Sequence, residues 1–514
     1  MNSGIHHITL ITRKVQNNVD FYVGFLGLRL VKRTGGYEDP GQLHLFYGDH
    51  TGAPGSLITF LVWEDGSSGR AGHGQVGEVA LAIDPGSIGF WLERTLRFHV
   101  PASGPATEFG EPVLRLRDPD GISVKLVGSS LPAGKRWVSP DIPAEHAIYR
   151  IRGATILSET PDETQAFIKH YSGFHLQNSE DTVTRLVSPS GDVIDIRDAH
   201  GFWPGSPGTG IADHIAFRAT DVAELRALEK SLAQLNSSPT SLHDRKYFTS
   251  LYVREPGGTL LEFATDGPGF TIDEPIETLG SRLFIPPHDA GRAEDIKAVL
   301  PQFALPGETR VIYRELPFIH RFHTPENPDG TTIVLLHGTG GNETDLMPLA
   351  RRIAPRATLL GIRGRSTEEG ILRWFRRLTP TSFDQADIRF EAEALVAFIA
   401  QAVTVYGLAA DRLVFLGYSN GANLLASLML LHPGPVARAI LLRPVMVLDD
   451  APQADLRRSR VLMLSGRNDP YRPLAPALEQ AFRNGGAEID ARIIEAGHEL
   501  AEADQDAITA WLNR

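Results

Sequence analysis

In its first half the chain runs four times through the same order of elements, and that repetition constrains its fold more than any other feature. Residues 5–33 read as a strand (IHHITLI), a helix (VQNNVDFYVGFLG) and a second strand (LRLVKR). Residues 152–177 repeat the order with RGATILS, PDETQAFIKHYSG and FHLQ. Two further segments begin the same way: GEVALAI at 77–83 with a helix near 88–97, and ADHIAFRA at 212–219 with a helix near 221–235. Each repeat closes with a Pro-Gly turn feeding an apolar strand: APGSLITF at 53–60, DPDGISVKL at 118–126, SPSGDVIDI at 188–196 and EPGGTLLEF at 255–263. The pattern predicts four βαβββ units with a polar, Pro-bearing connection near 130–145. One such unit cannot bury its own apolar face, so the units should pair into two curved sheets.

Aligning the repeats exposes their chemistry. The first strands carry His7, Glu78, Ala154 and His214 in turn. The closing strands carry Thr59 or Phe60 (the first repeat is one residue short), then Lys125, Asp195 and Glu262. Glu262 is flanked by apolar residues, so it must be paired, hydrogen-bonded or bound to a metal. The first and fourth repeats together supply His7, His214 and Glu262, a 2-His-1-carboxylate set of the kind that leaves open positions on a non-haem Fe(II). This set works only if those two repeats meet in space. The inner repeats offer Glu78 and Lys125, a salt bridge where a metal is no longer held.

Composition narrows the options. At 514 residues the chain should hold two or three domains. It has no cysteine, so disulfides, thiolate zinc sites and iron–sulfur clusters are excluded and a metal must sit on His and carboxylate. A net charge of -12 argues against nucleic acid or an anionic membrane as partner. The N-terminus lacks a signal-peptide pattern, and no apolar stretch is long enough to span a membrane, so the expected location is cytoplasmic.

Over about residues 4–305, GIHHITL, HLFYGDHTGAPGSLITF, the stretch HDRKYFTSLYVREPGGTLLEF at 243–263 and DEPIETLG resemble the vicinal-oxygen-chelate superfamily, and within it the dioxygenases that cleave hydroquinone rings. The resemblance implies Fe(II) on His7, His214 and Glu262, O2 as co-substrate, and a tail beyond 267 packed against the sheets. It also implies supporting roles for His6, Thr9, Arg245 and Tyr252. Thr9 shares His7's face by the strand period. Tyr252 could donate a hydrogen bond to a bound oxygen, and Arg245 could neutralise a phenolate. His6 should point to the opposite face unless the strand is bulged. The alternatives are a glyoxalase-type isomerase using Mn(II), Zn(II) or Ni(II), and a non-catalytic module that binds aromatic ligands. The isomerase asks for more carboxylate or Gln ligands than Thr59 or Phe60 supplies.

After residue 305 strands alternate with helices: TIVLLHG, RLVFLG, AILLRPV and RVLMLSG are apolar runs ending in polar turns, as in a parallel sheet covered on both faces. RLVFLG runs through GYSNG into the helix ANLLASLMLL, the strand–turn–helix setting of a nucleophile elbow at Ser419. In chain order Ser, Asp, His, the partners are Asp469 in SGRNDP and His498 in EAGHEL. HGTGGNE offers the Thr339 N–H which, with the Asn420 N–H, would form an oxyanion hole. Residues 316–514 resemble the small carboxylesterase/phospholipase group of α/β-hydrolases through LLHGTGGNETDL, GYSNGAN and AGHEL. A basic cluster lies between these motifs: Arg363, Arg365, Arg373, Arg376 and Arg377. The last three are read as one face of a helix, either solvated or attracting an anionic substrate.

The expected architecture is therefore an α+β first half of two vicinal-oxygen-chelate domains (1–135 and 145–270), a tail and linker (271–315) and an α/β-hydrolase domain (316–514). The expected function is bifunctional: ring cleavage of an aromatic diol, then hydrolysis of the product or a related ester. Small-molecule diols and esters are the partners, and assembly with identical chains stays open.

Overall fold

Each repeat folds as a strand, a helix and three further strands in a computed structural model that describes residues 4–131, 136–233, 241–379 and 381–514. Residues 132–135 of the expected polar connection, and 234–235 at the expected end of the fourth helix, lie outside the described residues. The first repeat comprises β1 (Ile5–Thr12), α1 (Val15–Val19) continuing into a π turn (Asp20–Phe25), β2 (Arg29–Gly35), β3 (Leu43–Gly48) and β4 (Leu57–Val62). The second comprises β5 (Gln75–Ile83), α2 (Ile88–Phe98), β6 (Ala102–Glu108), β7 (Glu111–Arg117) and β8 (Ser123–Gly128). The third comprises β9 (Arg150–Ser158), α3 (Pro161–Ser172), β10 (His175–Glu180), β11 (Val183–Val187) and β12 (Val193–Asp198). The fourth comprises β13 (Ala212–Ala219), α4 (Val222–Leu232), β14 (Leu242–Asp244), β15 (Thr249–Arg254) and β16 (Leu260–Thr265), and the tail adds β17 (Leu283–Phe284).

The strands form two sheets, and their order decides which repeats meet. One sheet runs β14-β15-β16-β13-β1-β4-β3-β2-β17, joining the fourth repeat to the first. The other runs β10-β11-β12-β9-β5-β8-β7-β6, joining the third to the second. Each join is an antiparallel pairing of first strands, β1 with β13 and β5 with β9. Every closing strand lies parallel to its own first strand. The tail strand β17 runs parallel to β2 at the edge of the first sheet, and Phe270 is buried with Phe46 and Leu57.

Register corrects one alignment and resolves another. Glu262 lies opposite Ala216, two residues beyond His214, and Thr59 lies opposite Thr9, two beyond His7. Thr59, not Phe60, is thus the counterpart of Glu262. In the inner sheet Lys125 lies opposite Ala80 and Asp195 opposite Thr155, two residues beyond Glu78 and Gly153. The counterpart of His214 is therefore Gly153 rather than Ala154, a one-residue slip that moves the side chain to the other face. A Cβ at 153 would stand 2.2 Å from the Val193 carbonyl oxygen, so no ligand fits there. In place of a cation the inner sheet holds the Lys125 ammonium, 3.3 Å from Glu78 and from Glu108 and 3.5 Å from Asp195.

The chain divides into two compact units, residues 1–290 with 303–308 and residues 291–302 with 309–514. The second unit is built on the sheet order β18-β20-β19-β23-β24-β25-β26. Its strands are β18 (His320–His323), β19 (Thr332–Leu336), β20 (Thr358–Ile362), β23 (Leu413–Tyr418), β24 (Arg438–Leu442), β25 (Arg460–Gly466) and β26 (Glu488–Ile494); β21 (Arg377–Thr379) and β22 (Ser382–Phe383) form a separate ribbon. All pairings in the seven-stranded sheet are parallel except β18 with β20. Helices α7 (Gln385–Tyr406), α8 (Asn420–Leu431) and α9 (Ala475–Asn484) share one buried core with the sheet. A second core holds α6 (Met347–Ile353) and α10 (Glu502–Leu512), with α5 (Ala293–Val299) against α6. Covered on both faces, the central strands need no polar side, which is why they read as continuous apolar runs. This is the α/β-hydrolase fold. No described helix is long and apolar enough to cross a membrane.

The helical face expected for Arg373, Arg376 and Arg377 is absent. Arg373 bridges Ser366 through backbone hydrogen bonds of 2.8 and 3.1 Å, and Arg377 begins β21. Tertiary contacts override the helical spacing: the Trp374 N–H donates to Asn420 Oδ1 at 2.8 Å and its Nε1 to the His337 carbonyl at 2.8 Å, holding the segment extended. Arg376 pairs with Asp384, Arg363 with Glu343 and Arg365 with Glu391.

Candidate active sites

β1, β13 and β16 lie side by side, and their register brings His7, His214 and Glu262 to one buried point. Glu262 Oε2 stands 3.2 Å from His7 Nε2 and 2.8 Å from His214 Nε2, and the two Nε2 atoms are 3.4 Å apart. Hydrogen bonds on the far sides settle which atoms carry protons. Burial pushes the His6 imidazole down to about 3, so it is neutral, and its Nε2 lies 3.1 Å from the Thr265 carbonyl, which only accepts. His6 Nδ1 therefore offers a lone pair to the N–H at His7 Nδ1, 2.9 Å away, leaving His7 Nε2 unprotonated. His214 Nδ1 donates to Asp213 at 2.7 Å, which aims its Nε2 at Glu262. The Ser250 hydroxyl donates to Glu262 Oε1, while the buried Oε2 faces the two imidazole Nε2 atoms.

Three ligand atoms thus converge in a dry setting around a buried carboxylate, which positive charge satisfies. Electrostatics agrees. Burial favours a neutral Glu262, yet the facing imidazoles hold its carboxyl well below the usual range. Burial lowers His214, but hydrogen bonds to Asp213 and Glu262 carry it up to about 9, so without an ion a proton on Nε2 takes the place of the cation. A divalent ion fits: the three candidate ligand atoms lie within 4.8 Å of one another, and imidazole with carboxylate suits iron and its neighbours.

The expected supporting residues gather here, for reasons only partly visible in strand period. His6 is on the site because β1 is bulged: between Ile5 and His7 the register shifts against β13, so His6 turns to the side of His7. Thr9 Oγ1 lies 2.9 Å from Thr59 Oγ1. Tyr252, opposite Glu262 in β15, has its ring 5.4 Å from that of His214, and burial followed by the Glu262 charge raises its phenol. The Arg245 guanidinium lies 5.7 Å from the Tyr252 ring and donates to Glu38 at 3.0 Å. All but His6 line a cavity of about 560 Å3 with apolar walls including Phe46, Leu61, Trp63 and Phe248.

Sequence reading missed three neighbours. His44 Nε2 lies 3.1 Å from Thr59 Oγ1, and burial pushes its imidazole down to about 3. Its place in HLFYG, two residues before the buried Phe46 on one strand face, was the available signal. Asp213 supports a ligand from a position that strand alternation would not single out, whereas Ser250 shares a strand face with Tyr252.

In the second unit β23 turns sharply into α8 at Ser419, whose φ of 50° and ψ of -114° are strained for a residue with a side chain. Glycine is required on either side. A Cβ at Gly417 would stand 2.7 Å from Ala422 Cα, and one at Gly421 2.3 Å from the Leu336 carbonyl of the neighbouring strand. Ser419 Oγ lies 2.9 Å from His498 Nε2, and His498 Nδ1 lies 2.9 Å from Asp469 Oδ2. Asp469 follows β25 and His498 follows β26, so the three side chains meet at the C-terminal edge of the sheet. Asn420 begins α8, where backbone N–H groups have no intrahelical acceptor. Thr339 sits in the turn after β19, which is closed by Gly341 N–H to Gly338 O at 3.1 Å and tied by Gly340 N–H to Leu372 O at 2.8 Å.

Comparison with known proteins matches both units. The sequence profile of the Glyoxalase/Bleomycin resistance protein/Dioxygenase superfamily matches residues 4–126. MhqO of Bacillus subtilis (strain 168), provisionally named a ring-cleaving dioxygenase, is 37% identical over 301 residues, 58% of this chain and 96% of its own length. The chlorohydroquinone/hydroquinone 1,2-dioxygenase of Sphingobium indicum is 32% identical over 305 residues, 57% of this chain and 94% of its own. MhqD of Bacillus subtilis (strain 168), provisionally named a hydrolase, is 34% identical over 181 residues, 35% of this chain and 90% of its own.

Proposed function

The chain belongs to the Glyoxalase/Bleomycin resistance protein/Dioxygenase superfamily, and on that footing we propose that its first unit is an Fe(II)-dependent dioxygenase that cleaves hydroquinone-type rings, joined to a serine hydrolase of the carboxylesterase type. The observation that carries the first part is the convergence of two imidazole nitrogens and a carboxylate oxygen on one buried point. Similarity to a chlorohydroquinone/hydroquinone 1,2-dioxygenase supports the substrate class. A bound Fe(II) would supply the site at which O2 and a ring hydroxyl are activated together.

The protein's own residues do the rest. His6, Asp213 and Ser250 orient the ligand atoms and hold their tautomers. The apolar walls of the cavity flank a flat ring and exclude water. Arg245 supplies fixed positive charge for a phenolate, and Tyr252 a hydroxyl beside the ligands. In the second unit His498 takes the Ser419 proton through Nε2 while Asp469 holds its Nδ1–H. The N–H groups of Thr339 and Asn420 would receive the developing oxyanion. Its substrate is the ring-opened product or a related ester, a coupling motivated by the presence of both sites in one chain.

The test is anaerobic metal analysis with an oxygen-uptake assay on methylhydroquinone. About one iron per chain with substrate-dependent uptake is the expected result for a single ligand set; bound zinc or nickel without uptake would overturn the dioxygenase reading. Mass spectrometry of products from wild type and S419A then tests the coupling. Identical products from both would remove it.

A further inference from the structure

His498 stands between β26 and α10 on a stretch with no regular secondary structure, yet its imidazole meets Ser419 and Asp469 at once. Three consecutive carbonyls of that stretch are held by side chains. Arg443 donates from Nε to Gly497 O at 2.8 Å and from Nη2 to Glu499 O at 2.9 Å. The Tyr418 hydroxyl donates to His498 O at 3.1 Å. The remaining N–H groups of Arg443 pair with Asp504 at 2.7 and 2.8 Å, and the two side chains are 0% and 1% exposed.

Stability is a poor reason for such a pair. Desolvating two ions offsets most of their attraction, and apolar replacements of buried pairs are often neutral or stabilising. An apolar pair, however, cannot aim N–H donors at the carbonyls on both sides of a histidine. Asp504 does more than balance charge: its Oδ2 accepts from the Ala501 N–H at 2.8 Å, fixing the start of α10 just beyond the loop. Arg443 itself adopts a left-handed φ of 53°, unfavourable for a residue with a Cβ. It directly follows Leu442, whose carbonyl accepts the Ser419 N–H at 2.8 Å. The C-terminal end of β24 and the residue after it therefore grip the backbone of the nucleophile and the loop of its base. The packing leaves little slack, since a Cβ at Gly466 would stand 2.1 Å from Gly497 O.

We propose that the Arg443–Asp504 pair is the positioning element of the hydrolase, setting His498 between Ser419 and Asp469 through the carbonyls of Gly497 and Glu499. The inference rests on the serine-hydrolase reading of the second unit. Arg443 reaches no reacting atom; it acts through the backbone that carries His498. Lysine keeps the charge but replaces a planar fork of five donors with a single ammonium, so it cannot serve all these acceptors.

The experiment uses the full chain with R443K and R443M/D504L, and p-nitrophenyl acetate as probe. Folding is followed by circular dichroism and Tm, competent Ser419 by burst amplitude and fluorophosphonate labelling, and turnover across pH. The expected result is a folded variant whose kcat falls roughly 10²-fold, the cost of about 1 Å of misplacement, with KM nearly unchanged and the acidic limb of kcat/KM displaced. A folded variant with wild-type kcat and an unmoved pH profile overturns the proposal. So does loss of fold in both variants, R443K included, which assigns the pair to stability. Failure of the hydrolase reading looks different: wild type itself then shows neither burst nor labelling.

Discussion

Thr59 and Glu262 hold the same place in the two halves of the nine-stranded sheet, each in a closing strand opposite the residue two positions beyond an imidazole ligand. A twofold-symmetric site would have a carboxylate at both. Here one side has a carboxylate and the other a threonine hydroxyl bonded to Thr9 and close to His44. The asymmetry leaves one side of the candidate metal position without a charged side chain, and Thr9 and His44, which contact Thr59, line the cavity.

A carboxylate restored there should close the site. T59E is expected to bind a divalent ion more tightly than wild type while losing substrate-dependent oxygen uptake. Chelator competition and an oxygen electrode check the two halves of this statement. Unchanged uptake with a tighter metal would show that the Thr59 side is not where substrate enters.

His6 should matter through His7 rather than by touching substrate. Removing its Nδ1 lone pair frees the His7 Nδ1–H and with it the tautomer that presents Nε2 inward. H6A is expected to lower metal affinity about 10–100-fold, the usual cost of losing a partner behind a ligating histidine. Titration of the apo protein with Fe(II) or Mn(II) under argon measures this; equal affinities would remove His6 from the site.

The two active sites should fail independently. S419A is expected to lose ester hydrolysis by roughly 10⁴–10⁶-fold, as when the nucleophile of a triad is removed. E262Q should lose bound iron and oxygen uptake, because an amide replaces the anionic ligand. Each variant should keep the other activity, and cross-inhibition in either direction would contradict that.

Asp118 gives a pH dependence with a definite sign. Burial pushes its carboxyl up to about 7, against hydrogen bonds from the Ile122 and Asp120 N–H groups that lower it. A folded pKa raised above the unfolded value means the contribution is fully present below about pH 4 and is lost as pH rises through about 7. The stability of wild type relative to D118N should therefore fall between about pH 4 and 7, by up to roughly 4 kcal/mol if the whole shift is expressed. Urea midpoints of both proteins across that window test it, and a pH-independent difference would refute it.

Much of this protein is legible in its sequence. The Pro-Gly turns and strand alternation announced four repeats, because turn chemistry and side-chain period are local properties. Glu262 declared itself as a carboxylate among apolar residues, and Ser419, Asp469 and His498 appeared in order beyond apolar strands. What stayed hidden depended on register. Ala154 aligns by sequence where Gly153 stands because neither residue carries a ligand side chain to mark the register, and a one-residue slip then goes unseen. Residues 373–377 carry helical spacing yet lie extended, because Trp374 is bonded to Asn420 and His337, partners distant in sequence.

By itself, then, the sequence determined the inventory: two imidazoles and a carboxylate at matching repeat positions, a serine on a glycine-flanked turn, and no thiol to compete with them. Only the tertiary structure decided that the first and fourth repeats share a sheet, that a bulge turns His6 toward His7, and that Arg443 and Asp504 grip the loop of His498. The physical reason is the same in each case. Local chemistry selects residue types and turns, whereas long-range pairing selects faces, and a single residue of register reverses a face.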